Sequence, residues 1–370
     1  MIVLALSPGY TASSGFSLYP AAQHITITPK PLQHHPTPPL KQHNNNVHQH
    51  PHPISNRNIP LPRPQPKHNP LHPPHNLRPR PRNPHQHQHQ DPLFTLPKPT
   101  FITTLLTIRH ISQHLQRIYS VQRIALITTG LTTLSILPLH GLSPTWHPIT
   151  NPSTVFHGAT YPGYLTSKDA PLMSTSQLDQ IAQTITTATT TSLPTQQPDY
   201  TSHTPTSTNL FSRIIRGETQ HWRIWEDADH VAFLTPFPNT VGFTVLVPRA
   251  HLSSDILGGL DEGAFTMLMG AAYEVVGVLR RAFGVERCGM VFEGFEIDYA
   301  HVKIIPVHGG AGDVDVDEGE GGDGDGERER FWEVYPGYLS SLPGPVVEDY
   351  DGLVRRAGEV RREVMKEMGE

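Results

Sequence analysis

Glutamate is missing from the first 200 residues, and only four aspartates stand there (Asp91, Asp169, Asp179, Asp199), against thirteen Lys and Arg. The other 170 residues hold 29 acidic groups and 15 basic ones, so the formal charge of -5 is the sum of two halves of opposite sign. Cysteine is nearly absent too. Cys288 stands alone, which excludes an intrachain disulfide and any zinc site built on several thiolates. No basic residue precedes the apolar stretch within Met1 to Pro20, which makes it a poor secretory signal. The longest uncharged apolar run, Ile124 to Leu139, is broken by Thr, Gly and Pro and is shorter than the ~20 residues that span a bilayer. No membrane segment is expected, and a reducing, cytoplasmic (or nuclear) location is the expectation.

What fills the first half is Pro and His: 30 of 38 prolines and 18 of 24 histidines precede residue 201. Such a composition buries too little apolar area to offset its ordering entropy, so residues 1–208 are expected to be a disordered, low-complexity region. The His-rich tracts His34 to His52 and His85 to Gln90 suit adventitious transition-metal affinity at most. Positive charge there is sparse and not interleaved with aromatics, so nucleic acid is not an expected partner. Apolar residues at mixed spacing within residues 101–145 (Leu105, Ile108, Ile111, Leu115, Ile118, Ile124, Leu126) suggest one or two helices. Met173-Ser-Thr-Ser-Gln-Leu reads like an ordinary protein start, and the functional product is expected to begin near it.

From Asn209 the pattern is that of a compact α+β domain, residues 209–368. A short helix is expected at Phe211 to Arg216. Strands are expected at Trp222 to Trp225, His230 to Thr235 and Gly242 to Pro248, the first two joined as a hairpin. Leu260 to Phe283 carries an apolar stripe at three- and four-residue spacing, acidic residues at its start and Arg280, Arg281 and Gly284 at its end, which predicts a long helix. Two more strands, Cys288 to Phe292 and Ala300 to Val307, and a terminal helix from about Val346 complete the domain. Between them lies an acidic, Gly-rich insertion at 309–330. Its Asp313-Val-Asp315-Val-Asp317 spacing departs from a calcium loop, because position twelve is Gly324.

Chemistry concentrates in Glu293-Gly-Phe-Glu-Ile-Asp-Tyr-Ala-His-Val-Lys-Ile-Ile-Pro306. Side chains alternate along a strand, so Tyr299, His301 and Lys303 share one face. That row suits an anionic ligand, with His301 as nucleophile or base, Lys303 as a charge on phosphate and Tyr299 as donor; alone, a strand histidine is more often structural.

Tyr299-Ala-His301-Val-Lys303-Ile-Ile-Pro306, with Pro238-Asn-Thr-Val-Gly-Phe-Thr-Val-Leu-Val-Pro-Arg-Ala-His251 and Leu210-Phe-Ser-Arg-Ile-Ile-Arg-Gly-Glu218 upstream, resembles the histidine triad (HIT) nucleotide-binding hydrolases over residues 209–308. The resemblance is to a branch with Ala-His-x-Lys in place of the full triad. It implies an antiparallel sheet with a long helix and a C-terminal helix. It also implies a hydrolase or nucleotidyl transferase acting on a phosphoanhydride or phosphoramidate through a nucleotidyl-His301 intermediate. Lys303, Tyr299, Arg249 and His251 would bind the substrate phosphate, a nucleotide or other phosphorylated small molecule would be the partner, and a homodimer would form. Tyr299 and Lys303 replace two triad histidines, Thr235 the ribose-binding acid, and Asn209 and Ser212 a zinc-binding cysteine pair. No metal or other cofactor is therefore expected, and a non-catalytic nucleotide- or anion-binding module is the alternative.

Overall fold

The computed structural model describes residues 2–5, 93–131, 133–158, 160–190, 199–309, 334–344 and 349–368. In chain order its elements are strand β1 (Ile2–Ala5), helix α1 (Lys98–Ile118), strands β2 (Arg123–Thr128) and β3 (Thr133–Leu139), and helices α2 (Thr175–Thr190) and α3 (Leu210–Ile215). Strands β4 (Arg223–Glu226), β5 (His230–Leu234) and β6 (Thr244–Pro248) follow. Helix α4 (Glu262–Phe283), strands β7 (Cys288–Phe292) and β8 (Val302–Pro306), and helix α5 (Tyr350–Met368) close the order. The strands form one antiparallel sheet in the order β1-β3-β2-β7-β8-β6-β5-β4.

This is the expected α+β class, with the long helix and the C-terminal helix in place. The elements from α3 to β8 fall within a few residues of their expected bounds. Helix α4 starts where the Asp261 side chain accepts from the Ala264 amide at 2.8 Å, and it stops at Gly284, which takes the left-handed conformation open to glycine (φ 64). By length and composition α4 could cross a membrane, but its stripe of Phe265, Leu268, Ala272, Val275, Val276 and Leu279 is buried against the sheet.

The domain boundary expected at residue 209 is corrected: β1 at Ile2–Ala5 and a continuous series of elements from α1 onward belong to the same sheet and its covering layer. Of the one or two helices expected within residues 101–145, one forms, α1, and the remainder is the β2–β3 hairpin. Composition misled because His and Thr were counted as solvated. In α1 His110, His114, Thr103 and Thr107 stand at partly or fully exposed positions, while Phe101, Thr104, Leu105, Ile108 and Leu115 are buried. The uncharged run Ile124 to Leu139 becomes the β2–β3 hairpin, with Ile124, Leu126, Leu134 and Ile136 packed on the helical face of the sheet. The His-rich tracts and the acidic insertion beyond Gly309 lie outside the described residues.

Helices α1 and α4 cover one sheet face. On the other face, Phe211, Ile214 and Ile215 of α3 pack on Val231, Phe233, Val245, Val247 and Tyr299. A neighbouring cluster joins Ala125, Ile127, Val291 and Ile305 to Leu165, Tyr335 and Leu339, which come from extended segments laid over the strands. The candidate residues sit on this second face, between the two clusters.

Candidate functional site around His301

Tyr299, His301 and Lys303 do share one face, the side opposite α4, and all three are buried. His301 is 3 % exposed, with the Phe211 ring 5.4 Å from its own. Its Nδ1 lies 2.7 Å from the Tyr299 carbonyl oxygen. A carbonyl can only accept, so Nδ1 carries the proton and Nε2 keeps a lone pair. Burial, reinforced by the Lys303 charge, lowers the imidazole pKa, with the Tyr299 carbonyl and two carboxylates opposing. The ring is therefore neutral at pH 7, in a single tautomer.

Lys303 is not a free cation. Its Nζ donates to Glu293 at 2.7 Å and Glu296 at 2.8 Å, with the Ser167 carbonyl oxygen at 3.5 Å. Burial would deprotonate the amine, but the two carboxylates win and raise its pKa. Burial likewise works to protonate Glu296, and Lys303 overcomes it, holding that carboxyl below its usual range. Glu293 also accepts from Tyr335 Oη at 2.6 Å and Ser167 Oγ at 3.1 Å. Burial and Glu293 together push the Tyr335 hydroxyl far up, so it remains a donor. Asp169 keeps solvent contact, yet desolvation by the surrounding protein and the nearby Glu296 push its pKa up to about 6. The reach expected of Lys303, a point charge on phosphate, is corrected: two carboxylates from the loop before the strand already neutralise it.

Arg249 is corrected in the same way. Only 1 % exposed, its guanidinium donates to the carbonyls of Asp227, Asp199 and Thr201 and pairs with Glu226 at 2.9 Å. It fastens residues 199–201 to the β4–β5 hairpin and has no donor pointed at His301.

His251 spends both nitrogens, on the Asp298 carbonyl oxygen (2.7 Å) and on Ser207 Oγ (3.1 Å), and stacks on the Tyr299 ring at 4.6 Å and 12°. Tyr299 Oη donates to the Pro248 carbonyl at 2.8 Å, and burial pushes its pKa up to about 12. Tyr299 and His251 thus hold the strand that presents His301, and neither offers a spare donor. Asn209, in place of one zinc-site cysteine, caps α3 by accepting from the Phe211 amide. Among the described residues no group of three or more His, Cys, Asp or Glu is placed to hold a metal ion.

The structure brings together three groups that the strand alone did not announce: Glu293, Glu296 and Ser167. Glu293 and Glu296 lie in the loop between β7 and β8. Ser167 comes from the segment that precedes α2 and lies across the sheet.

No family model matches the chain. Solved structures similar to it include a HIT family protein from Bacillus anthracis, 19% identical over 28% of this chain and 76% of that one, with a TM-score of 0.26. A HIT-like protein involved in cell-cycle regulation from Bartonella henselae is 24% identical over 28% of this chain and 82% of its own, with a TM-score of 0.25. A hypothetical histidine triad nucleotide-binding protein from Sulfolobus tokodaii is 20% identical over 42% of this chain and 91% of its own, again with a TM-score of 0.25. Each likeness covers a minority of the present chain.

Proposed function

We propose that the chain is a HIT-like nucleotide hydrolase or nucleotidyl transferase with His301 as nucleophile. The observation that carries this reading is the Nδ1–H···O=C bond to Tyr299 together with the lowered imidazole pKa. Nε2 is left neutral, with its lone pair unused by any hydrogen bond among the described residues. In the proposed reaction Nε2 attacks phosphorus and the bond to the leaving group breaks. The Tyr299 carbonyl steadies the positive ring that results. Water then attacks phosphorus and the P–N bond breaks, its electron pair returning to Nε2. The water's proton balances the one taken up by the departed leaving group, and the monophosphate leaves with neutral His301 restored.

A second reading, a nucleotide- or anion-binding module without turnover, rests on a different observation, which bears on turnover alone. Lys303 is spent on Glu293 and Glu296, Arg249 on Glu226 and the carbonyls of Asp199, Thr201 and Asp227, and Asp169 adds a third carboxyl beside Lys303. Neither Lys303 nor Arg249 is then free to stabilise charge that develops on phosphate during a reaction, and His301 is covered, which weighs against turnover.

The test is incubation of the full chain with dinucleoside polyphosphates and nucleoside phosphoramidates, alongside His301→Ala. Monophosphate release by the wild type and its loss in the variant support the enzyme. Equal release from both rejects it, and binding without release selects the module.

A further inference from the structure

The two halves of the sheet repeat one another. Residues 115–130 align without a gap onto 279–294, matching Leu115 with Leu279, Arg117 with Arg281, Val121 with Val285, Arg123 with Arg287 and Gly130 with Gly294. Leu134-Ser-Ile-Leu-Pro-Leu-His-Gly141 aligns onto Val302-Lys-Ile-Ile-Pro-Val-His-Gly309. Tyr161-Pro-Gly-Tyr-Leu-Thr-Ser167 aligns onto Tyr335-Pro-Gly-Tyr-Leu-Ser-Ser341. The three matches occur in the same order in both halves.

The backbone repeats as well. Ser120 (φ 51) is the one non-glycine with positive φ among the described residues, and it aligns with the α4 cap Gly284 (φ 64). Gly130 (φ 88) aligns with Gly294 (φ 79), and Gly163 (φ 95) with Gly337 (φ 85). Phe101 in α1 and Phe265 in α4 are both buried, one turn-matched to the other.

The pairing between the halves has two-fold symmetry. Replacing each residue by its counterpart turns the β2–β7 pair Leu126↔Phe292 into Met290↔Thr128, which is also observed, and Ile127↔Val291 into itself. On the flanks, β1 meets β3 through Ile2↔Ile136 and Leu4↔Leu134, as β6 meets β8 through Thr244↔Ile304 and Leu246↔Val302. The Tyr-Pro-Gly-Tyr-Leu segments cross reciprocally. The Tyr161 amide donates to the His308 carbonyl at 2.9 Å, and the Tyr335 amide to that of His140 at 3.1 Å. The Leu165 amide donates to Ser341 Oγ and the Leu339 amide to Ser167 Oγ, both at 2.8 Å. Mutual contacts of this kind define an isologous interface, here closed within one chain.

The copies differ where the chemistry lies. Seven residues (295–301) separate Gly294 from Val302, but only three (131–133) separate Gly130 from Leu134. Thr133 stands where His301 does, Ser135 where Lys303 does and Thr129 where Glu293 does. We infer that the chain is an internal duplication folded as a pseudo-dimer with one site. The first copy has lost its nucleophile, occupies the β7 edge as a second subunit would, and lends Ser167 to the polar cluster beside His301. A single chain is then the complete unit, and the expected homodimer gives way to a monomer.

That the remaining site binds nucleotide rests on the proposed function; the duplication does not. The decisive experiment uses the full chain with Thr166→Cys and Ser340→Cys, which face each other across an antiparallel bridge. Mild oxidation is expected to give a monomer whose digest contains one peptide joining positions 166 and 340. Cross-links between two chains, or no cross-link, would overturn the pseudo-dimer. Titration of the wild type with a nucleoside monophosphate is expected to show one site per chain. Two sites would overturn the loss of the first, and no binding would overturn the nucleotide reading while the cross-link still decides the duplication.

Discussion

Replacing Lys303 by Met separates its two assignments, because a phosphate ligand and a buried counter-ion fail differently. The Lys303 side chain is 4 % exposed, Glu293 2 % and Glu296 29 %. Met keeps the stem's volume and removes the charge, leaving two carboxylates without their shared cation. Removing one partner of a buried pair costs about 3–5 kcal/mol, against the ~5–15 kcal/mol that holds a typical domain folded. In the variant the lone carboxylates would have folded-state pKa values above the unfolded value. The loss is therefore complete above that raised pKa and fades as pH falls toward the unfolded one. Urea unfolding at pH 7.5 should show a deficit of about 3 kcal/mol or more, shrinking at pH 4.5. Adding Glu293→Gln should recover part of it at pH 7.5. A deficit below ~1 kcal/mol, or one of the same size at both pH values, would refute the claim that Lys303 is held by these carboxylates.

Two further outcomes follow from the same cluster and its neighbour. Arg249→Met should destabilise the chain by about 1–3 kcal/mol, since the Asp227 and Thr201 carbonyls lose a buried donor while Glu226 and the Asp199 carbonyl keep Arg223; proteolysis near residue 200 should rise with it, and unchanged resistance would contradict the anchoring role. Asp169, pushed up to about 6, imposes a penalty that is absent below the ordinary carboxyl range and full above pH 6. Asp169→Asn should thus raise Tm at pH 7.5 and leave it nearly unchanged at pH 4, and an equal shift at both would exclude a charge effect.

The second half of the fold was legible because its signals are local: the α4 stripe, the Asp261 and Gly284 caps, and the alternation that puts Tyr299, His301 and Lys303 on one face. Partners from distant segments left no such trace. Glu293 and Glu296 precede the strand in an irregular loop, and nothing in their spacing says that they turn back onto Lys303. Arg249 looked like a phosphate ligand because its acceptors are mostly backbone carbonyls, which every residue owns. In the first half, composition concealed folded sequence: α1 and the β2–β3 hairpin carry many Thr and His, yet bury Leu105, Ile108, Leu126, Leu134 and Ile136, with Thr104 and Thr128 beside them. One signal was present throughout. Tyr-Pro-Gly-Tyr-Leu occurs twice, at 161 and 335, and leads to Ser167, the contributor to the site that lies farthest from it along the chain.

The reciprocal crossing of the two Tyr-Pro-Gly-Tyr-Leu segments also bears on how the chain is made. During synthesis α1, β2 and β3 are completed while β7, their neighbour in the sheet, is more than a hundred residues from being translated. Until then β2 offers an open hydrogen-bonding edge and α1 an uncovered apolar stripe, the features that promote association of nascent chains. Closing so long a loop adds little to the entropic cost, which grows only slowly with length, but long-range pairing delays the moment of folding. The symmetry that makes the finished molecule self-sufficient therefore leaves its first half waiting for its second.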